Sequence, residues 1–122
     1  MKILLDTNFL LIPAQFNVDI FAEIDRTVHE KYEIYVLDKT VDELKKLSND
    51  PKQSLKNRRA ARLGLQLLKA KKVKILKKKG DSVDDVLAKI KGYTIATQDA
   101  ALKRRIKGKK IVLRAKKKLV FS

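Results

Sequence analysis

Short apolar segments alternate with amphipathic segments along this chain, and this alternation restricts the possible folds more than any other feature of the sequence. The apolar segments are short enough to be buried strands, and they cover residues 3–5, 33–37, 73–76, 94–96 and 111–113. Residues with helical spacing separate them, and no pattern typical of a hairpin turn joins any two. We therefore predict a parallel α/β sheet that is covered by helices on both faces.

The predicted helices cover residues 18–28, 54–71, 82–91 and 100–107, and one more follows the second strand. In that helix Thr40 stands three residues before Glu43, which is the pattern of a capping box. Residues 119–121 are interpreted as a sixth strand or a docked tail. With a length of 122 residues, the chain is expected to form one domain over residues 1–122.

Composition excludes several kinds of site. The absence of cysteine excludes disulfides, thiolate zinc sites and cysteine nucleophiles, and the single His29 excludes sites that need two histidines from one chain. No apolar run approaches the ~20 residues that span a bilayer. The apolar run after Lys2 is too short for a signal peptide, because Asp6 already ends it. We therefore expect a soluble, cytoplasmic protein.

Charge is distributed very unevenly along the chain. After Asp50 there are 24 Lys and Arg residues but only four carboxylates, Asp81, Asp84, Asp85 and Asp99, in a protein with a formal net charge of +16. A strongly basic surface attracts polyanions and releases their counterions. Acids kept within such a region suggest a site that must stay negative, such as one that holds a divalent metal ion. This pairing indicates a metal-dependent enzyme that acts on nucleic acid.

Several carboxylates are predicted to meet at one edge of the sheet. Asp6 ends the first strand, and Asp99 follows the fourth. Glu43, Asp84 and Asp85 lie in the first turns of the helices that follow the second and third strands. Ligands of an open parallel sheet bind outside the carboxyl ends of its strands. Oxygen ligands there suit Mg²⁺ or Mn²⁺, which can activate water and stabilise the leaving oxygen in phosphodiester cleavage.

Each of these acids also has a simpler explanation. Asp6 fits a turn, Glu43 a capping box, and Asp99 the cap of the helix that follows it. Asp84 and Asp85 lie at the start of a predicted helix, where a negative charge is electrostatically favourable. Asp84 lies about 110° from the centre of the apolar helix face and Asp85 about 150°. Asp84 is therefore preferred as the ligand, whereas Asp85 is expected to point further into solvent as a supporting group or replacement.

Four short acidic motifs follow one another along the chain. They are Leu5-Asp6-Thr7-Asn8, Val41-Asp42-Glu43-Leu44, Asp84-Asp85-Val86-Leu87-Ala88 and Ala96-Thr97-Gln98-Asp99. In sequence and order they resemble the acidic motifs of PIN-domain nucleases, and the resemblance extends over essentially the whole chain. It is nearest to small archaeal PIN proteins related to the Fcf/Utp factors of small-subunit rRNA processing, through residues 59–62, 97–105 and 113–116.

The resemblance implies a three-layer PIN-like domain with a twisted, mostly parallel five-stranded sheet, and Mg²⁺- or Mn²⁺-dependent endoribonuclease chemistry. The acidic tetrad of the family, which holds the metal, matches by position Asp6, Glu43, Asp84 and Asp99. Asn8 and Thr97 match polar positions that often support the tetrad. Gln98 stands where such motifs often have Asn. Because Asp85 directly follows Asp84, either acid can match the acidic position of the third motif.

Basic clusters flank the acidic residues in sequence and are predicted to bind RNA. They are Lys77-Lys78-Lys79, Lys103-Arg104-Arg105 and Lys116-Lys117-Lys118. A charge run is usually a solvated face, but ordinary faces mix both signs. Aromatic residues number only seven, and Tyr93 is the only one near the acidic half. Contacts to phosphates, rather than base stacking, are therefore expected.

The sequence thus predicts a metal-dependent endoribonuclease for ribosomal or other structured RNA. One alternative is a toxin-type PIN ribonuclease held by an antitoxin, and another is a non-catalytic RNA-binding factor of ribosome assembly. A phosphohydrolase with an aspartyl nucleophile is disfavoured, because Asp6-Thr7-Asn8 lacks the second Asp that this chemistry usually shows. Since PIN relatives commonly dimerise, a homodimer is the default expectation.

Overall fold

A computed structural model describes all 122 residues, in which strands and helices alternate. The strands are β1 (Lys2–Leu5), β2 (Glu33–Leu37), β3 (Lys74–Leu76), β4 (Thr94–Ala96), β5 (Lys110–Arg114) and β6 (Lys118–Phe121). A 3-10 helix (Asn8–Leu11) precedes the helices α1 (Ile12–Phe16), α2 (Ile20–Thr27), α3 (Asp38–Asn49), α4 (Leu55–Ala70), α5 (Val83–Lys89) and α6 (Ala100–Arg105). None of these helices combines the length and the apolar composition needed to cross a membrane.

The strands form one sheet with the order β3-β2-β1-β4-β5-β6. All neighbouring pairs are parallel except β5 and β6, which are antiparallel. The predicted α/β class and mostly parallel sheet are therefore confirmed. The count of five strands implied by the resemblance is wrong by one, because the end of the chain forms β6 at the edge of the sheet. Of the two interpretations of residues 119–121, the sixth strand is therefore confirmed.

The hairpin between β5 and β6 also contradicts the expectation that no two strands are joined by a hairpin turn. Ala115 and Lys116 both have a φ of 56°, and the backbone N–H of Lys117 donates to the carbonyl of Arg114 at 3.1 Å. Turns of this hand usually contain Gly, Asn or Asp, because those residues tolerate positive φ best. With Ala and Lys at these places, the sequence carries no hairpin signal.

Helices cover both faces of the sheet, because successive side chains of a strand point to opposite sides. In β1, Ile3 and Leu5 enter a core that they share with α1 to α4, whereas Leu4 enters a second core with α5 and α6. All three side chains are fully buried. This double burial is typical of parallel strands, and it confirms the prediction of helices on both faces.

Two predicted helix starts differ from the structure. The helix predicted from residue 18 begins at Ile20, because Asp19 caps it and accepts the N–H groups of Phe21 and Ala22. Helix α3 begins directly after β2, so Thr40 lies in its first turn, fully buried, and is not the N-cap. The predicted capping box is therefore wrong, and the simpler explanation of Glu43 as a capping acid no longer applies.

The sequence did not predict the 3-10 helix and α1, which follow β1 and pack on α4. Their packing depends on Gly64 of α4, where an added Cβ would lie 2.8 Å from the carbonyl oxygen of Leu10. This distance is shorter than a Cβ contact allows, so any larger residue would push the 3-10 helix away. The close contact fixes the segment that leaves the carboxyl end of β1.

Side chains of α2 tie the last strand to the rest of the protein. Glu23 accepts the backbone N–H of Leu119 at 3.0 Å, while Arg26 and Thr27 donate to its carbonyl at 3.0 and 3.1 Å. These three hydrogen bonds join residues that are 92 to 96 positions apart in the chain. The antiparallel edge strand is thus held by α2 as well as by β5.

Candidate active site

The order of the strands changes direction beside β1. From β1 the chain adds β2 and β3 on one side and then crosses back to add β4 and β5 on the other. Open α/β sheets bind ligands at such a switch point, outside the carboxyl ends of the strands. Leu5 of β1 pairs with Ala96 of β4, which puts Asp6 beside Thr97 at the switch point.

Asp6 is the buried carboxylate of this edge, with 4% of its surface exposed. Its Oδ1 accepts the backbone N–H of Thr7 and its Oδ2 accepts the hydroxyl of Thr97, both at 2.7 Å. Burial, aided by the negative charges of Asp84 and Asp99, raises the pKa of Asp6 to about 6 against the opposing effect of these hydrogen bonds. Asp84 and Asp99 therefore act electrostatically on Asp6, although they are far from it in sequence.

Thr97 links Asp6 to Asp99. Its fully buried hydroxyl donates to Asp6 and also accepts the backbone N–H of Asp99 at 3.0 Å. Asp99 caps α6, since its Oδ1 accepts the N–H groups of Ala101 and Leu102 at 2.9 and 3.1 Å. The cap uses only Oδ1, so Oδ2 of Asp99 is left for another partner.

Glu43 is connected to the site through Thr7. The hydroxyl of Thr7 donates to Oε1 of Glu43 at 2.6 Å, and its backbone N–H donates to Asp6. The same hydroxyl lies 3.4 Å from that of Thr40. Sequence reasoning missed that Thr7 joins Asp6 to Glu43. The only signal in the sequence was its position directly after Asp6.

The two acids at the start of α5 have different surroundings. The side chain of Asp85 is 43% exposed and pairs with Arg105 of α6 at 2.8 Å, and this hydrogen bond lowers the pKa of Asp85. Asp84 is the more exposed residue of the two, and its charge contributes to the raised pKa of Asp6. The expectation that Asp85 points further into solvent is therefore wrong, because Arg105 holds it against α6. The choice of Asp84 as the ligand stays a prediction, which its influence on Asp6 favours.

Asn8 and Gln98 contact each other rather than Asp6. Oδ1 of Asn8 accepts the backbone N–H of Gln98 at 3.3 Å, and the side-chain amide of Gln98 donates to the carbonyl of Asn8 at 3.2 Å. These bonds join the segment after β1 to the segment after β4. Gln98, which stands where such motifs often have Asn, thus holds the two segments together.

The donor set suits a hard divalent cation. Asp6 and Asp99 both retain oxygen lone pairs that no protein donor uses, and a cation would relieve the repulsion among Asp6, Asp84 and Asp99. No three acidic residues lie close enough together to surround one ion. Mg²⁺ keeps several waters and commonly binds through one or two carboxylates, so an ion at Asp6 or Asp99 would not need a third acid.

Two of the three predicted basic clusters lie at the same edge of the sheet. Lys77 to Lys79 follow β3, and Lys116 to Lys118 lie at the turn that follows β5, so both clusters are at the carboxyl ends of parallel strands. All six lysines are exposed. The third cluster, Lys103 to Arg105, lies along α6, where Lys103 is half-buried and Arg105 is paired with Asp85.

Comparisons with known proteins agree with the fold and the acidic motifs. Ribonuclease VapC4 of Methanocaldococcus jannaschii is 28% identical over 109 residues, which cover 86% of this chain and 82% of that protein. The solved structure of the PIN domain endonuclease Utp24 matches with a TM-score of 0.76 and 24% identity, over 99% of this chain and 90% of that chain, which shows a shared fold. The model of a family described as PIN like domain matches residues 3–116. The match covers almost the whole chain and confirms the resemblance seen in the motifs: this protein belongs to the PIN-like domain family.

Proposed function

We propose that this protein is a metal-dependent endoribonuclease that hydrolyses phosphodiester bonds in ribosomal or other structured RNA. The observation that carries the proposal is Asp6, a buried carboxylate at the switch point whose pKa is raised by burial and by the charges of Asp84 and Asp99. Ionisable groups perturbed in this way are typical of functional sites. A structural carboxylate would more simply be paired with a cationic side chain, and Asp6 has none.

The relatives and the charge of the protein support this class of substrate. One relative is named as a ribonuclease and the other as an endonuclease. The net charge of +16, with exposed lysines on both sides of the carboxylate edge, favours a polyanion. A single domain over residues 1–122, a homodimer and a cytoplasmic location remain predictions from the sequence.

In this proposal Asp6, Glu43, Asp84 and Asp99 would hold one or two Mg²⁺ or Mn²⁺ ions, each ion through one or two of these carboxylates and its own waters. Such an ion, when bound, supplies an activated water and stabilises the leaving oxygen. The oxygen of water would add to phosphorus as the water gives up a proton, the bond from phosphorus to the leaving ribose oxygen would break, and that oxygen would take up a proton. The reaction consumes one water for each bond cut and needs no other reactant.

The remaining residues of the chain orient these groups. Thr97 and Thr7 each occupy one lone pair of Asp6 and leave the others for a cation. Thr97 also fixes the backbone of Asp99, so one hydroxyl sets the positions of two carboxylates. Asn8 holds the two loops together through Gln98, and Asp85 attaches the start of α5 to α6. Lys77 to Lys79, Lys103 to Arg105 and Lys116 to Lys118 are proposed to contact phosphates.

The test is a cleavage assay on labelled precursor rRNA and on a structured control RNA, with Mg²⁺, Mn²⁺ or EDTA. We expect Asp6→Asn and Asp99→Asn to lower the rate by roughly a hundredfold to a thousandfold, as the loss of one group facing developing charge does. Asn at position 99 can still cap α6, so this variant removes the charge and keeps the helix. Asp81→Asn is the matched control, because Asp81 is an exposed acid of the same basic region. Lys39 donates to the backbone carbonyl of Asp81, so the substitution leaves this hydrogen bond in place.

Cleavage that continues in EDTA, or that is equal in the Asp6→Asn variant and the wild-type protein, would contradict the proposal. RNA binding without cleavage in any metal would instead identify the non-catalytic assembly factor considered from the sequence. Equal losses in Asp81→Asn and Asp6→Asn would mean that general charge, rather than the site, controls the rate.

A further inference from the structure

Away from the carboxylate edge, α5 and α6 enclose a cavity of about 310 Å³. Its floor is apolar and is formed by the buried side chains of Leu87, Ile95 and Ile106. Its rim carries exposed lysines, and no acidic residue lines it. An apolar floor with a purely cationic rim suits a ligand that joins a flat apolar ring to a negative charge.

Tyr93 gives this cavity an aromatic wall. The ring of Tyr93 packs edge-to-face with Tyr35, with centroids 5.4 Å apart and planes at 89°, and the ammonium group of Lys2 lies 5.5 Å from its centroid. Both contacts restrict the ring, so little conformational entropy remains to be lost when a ligand stacks on it. Aromatic rings within cationic grooves are a general means of binding single-stranded nucleic acid.

A second cavity adjoins the first and extends towards the acids at the start of α5. This second cavity, of about 190 Å³, is lined by Lys78, Lys79, Asp81 and Asp85, and it shares Lys89 and Ile90 with the first. Helix α5 begins beside the acidic edge and ends at the larger cavity. From residue 84 to residue 89 a helix rises about 7.5 Å, so the two places lie within reach of one short strand.

We propose that the larger cavity binds an unpaired nucleotide of the RNA, with the base against Tyr93 and the apolar floor and the phosphate among Lys89, Lys91 and Lys107. The proposal rests on the function proposed above and adds a place for one unpaired nucleotide away from the cut bond. A duplex keeps its bases stacked inside, so it offers the cavity no ring to bind.

The first test locates the nucleotide by photo-cross-linking in EDTA, where no RNA is cut. The probe is a short oligouridine that contains 4-thiouridine, and cross-linked peptides are identified by mass spectrometry. We expect cross-links within residues 88–93 and 105–108, which line the cavity. RNA that binds but cross-links only elsewhere overturns the inference and leaves the proposed nuclease function intact, whereas a wild-type protein that binds no RNA contradicts both.

The second test compares two triple variants with equal loss of charge. The cavity variant changes the rim lysines Lys89, Lys91 and Lys107 to Gln. Its matched control changes to Gln the lysines beside the groove between α3 and α4, which are Lys45, Lys69 and Lys72. All six side chains are exposed, so both proteins are expected to fold. The cavity variant should bind the oligouridine at least tenfold more weakly than the control, and equal affinities would overturn the inference.

Tyr93→Leu separates base stacking from charge. Leu keeps an apolar side chain against Tyr35 but removes the aromatic face, so affinity for oligouridine should fall roughly fivefold or more. Affinity for a blunt RNA duplex of the same length should change much less. An equal loss on both RNAs, in a variant with an unchanged melting temperature, would contradict a base-binding role. If this variant does not fold, the lysine comparison decides.

Discussion

The two sides of the candidate active site are built on different physical principles. At the switch point, Asp6 is buried and both of its oxygens accept hydrogen bonds from fixed neighbours. At the start of α5, Asp84 is exposed, and Asp85 is held by an ion pair whose two side chains are each 43% exposed. The first side takes its geometry from strand register, and the second takes it from surface charges that salt screens.

This difference separates the residues by what they do to stability. A buried carboxylate that must stay ionised opposes folding, because burial disfavours its charged form. An exposed carboxylate has almost no such effect. Asp6 is therefore the place where function and stability conflict, whereas changes at the start of α5 should alter function with little effect on folding.

The largest expected effect on stability is at Asp6. Since its pKa rises from 3.8 to about 6 on folding, the native state binds the proton more tightly, and the free energy of unfolding falls as pH rises through that interval. In metal-free buffer at pH 7.5, Asp6→Asn should therefore stabilise the protein by up to about 3 kcal/mol. Thermal melts in EDTA at pH 7.5 and pH 4 measure this difference, which should nearly vanish at the lower pH.

Asp84→Asn is the control for that experiment, because Asp84 is exposed and its loss removes only its repulsion of Asp6. It should stabilise the metal-free protein less than Asp6→Asn at the same pH. A lower melting temperature for Asp6→Asn at pH 7.5 would identify Asp6 as a structural residue and remove the conflict between function and stability.

The next largest effect is expected at Thr97. Thr97→Val keeps the shape of a fully buried side chain but removes the hydroxyl that donates to Asp6 and accepts from the backbone of Asp99. Leaving these groups without a partner should destabilise the protein by about 1–3 kcal/mol at pH 7.5. The loss should be smaller at pH 4, where Asp6 is protonated, and Thr97→Ser should restore most of it. Equal losses at both pH values would mean that the hydroxyl does not act on the charged form of Asp6.

A smaller effect is expected at Thr7, which joins the buried side of the site to Glu43. Thr7→Val removes the hydroxyl bond to Glu43 and keeps the backbone bond to Asp6. Denaturant unfolding should show a loss of about 0.5–1.5 kcal/mol. The variant should also need a higher Mg²⁺ concentration for half-maximal cleavage, and Thr7→Ser should behave like the wild-type protein. An unchanged metal requirement would remove Glu43 from the site.

The smallest change in stability is expected at the ion pair of Asp85 and Arg105. Asp85→Asn and Arg105→Gln should leave the melting temperature close to that of the wild-type protein, because exposed ion pairs contribute little. Cleavage at low salt should nevertheless fall several-fold in both, and the difference should shrink as salt rises. The double reversal Asp85→Arg with Arg105→Asp should recover part of the activity. A clear loss of stability in either single variant would contradict the contrast between the two sides.

Periodicity and strand chemistry were enough to predict the sheet and the edge on which Asp6 and Asp99 lie. Short apolar strands separated by helices leave few alternatives, and the carboxyl end of a parallel strand is a defined place. Asp6 lies beside Thr97 because β1 pairs with β4. No local sequence pattern specifies this order of strands. Only the resemblance to a family indicated Thr97 before the fold was known.

Other features depended on contacts that no local pattern contains. Thr40 and Glu43 have the spacing of a capping box, but α3 begins three residues earlier than that box requires, and Glu43 bonds instead to Thr7 across the site. Arg105 was expected to bind RNA, and the structure pairs it with Asp85 twenty positions away. Tyr93 was one isolated aromatic residue in the sequence, and its contact with Tyr35 depends on the sheet.

The hydrogen bonds between α2 and Leu119 have a consequence for how the protein forms. They close the chain over 92 to 96 residues, and the central pairing of β1 with β4 is almost as distant in sequence. Chains dominated by such long-range contacts fold more slowly than helical proteins of similar size, because the entropy of closing the loop is lost before the contacts form. During synthesis, α2 is complete long before its partner strand exists. Since Leu119 belongs to the same core as Phe21 and Ile24 of α2, this part of the core is completed only after Leu119 has been synthesised.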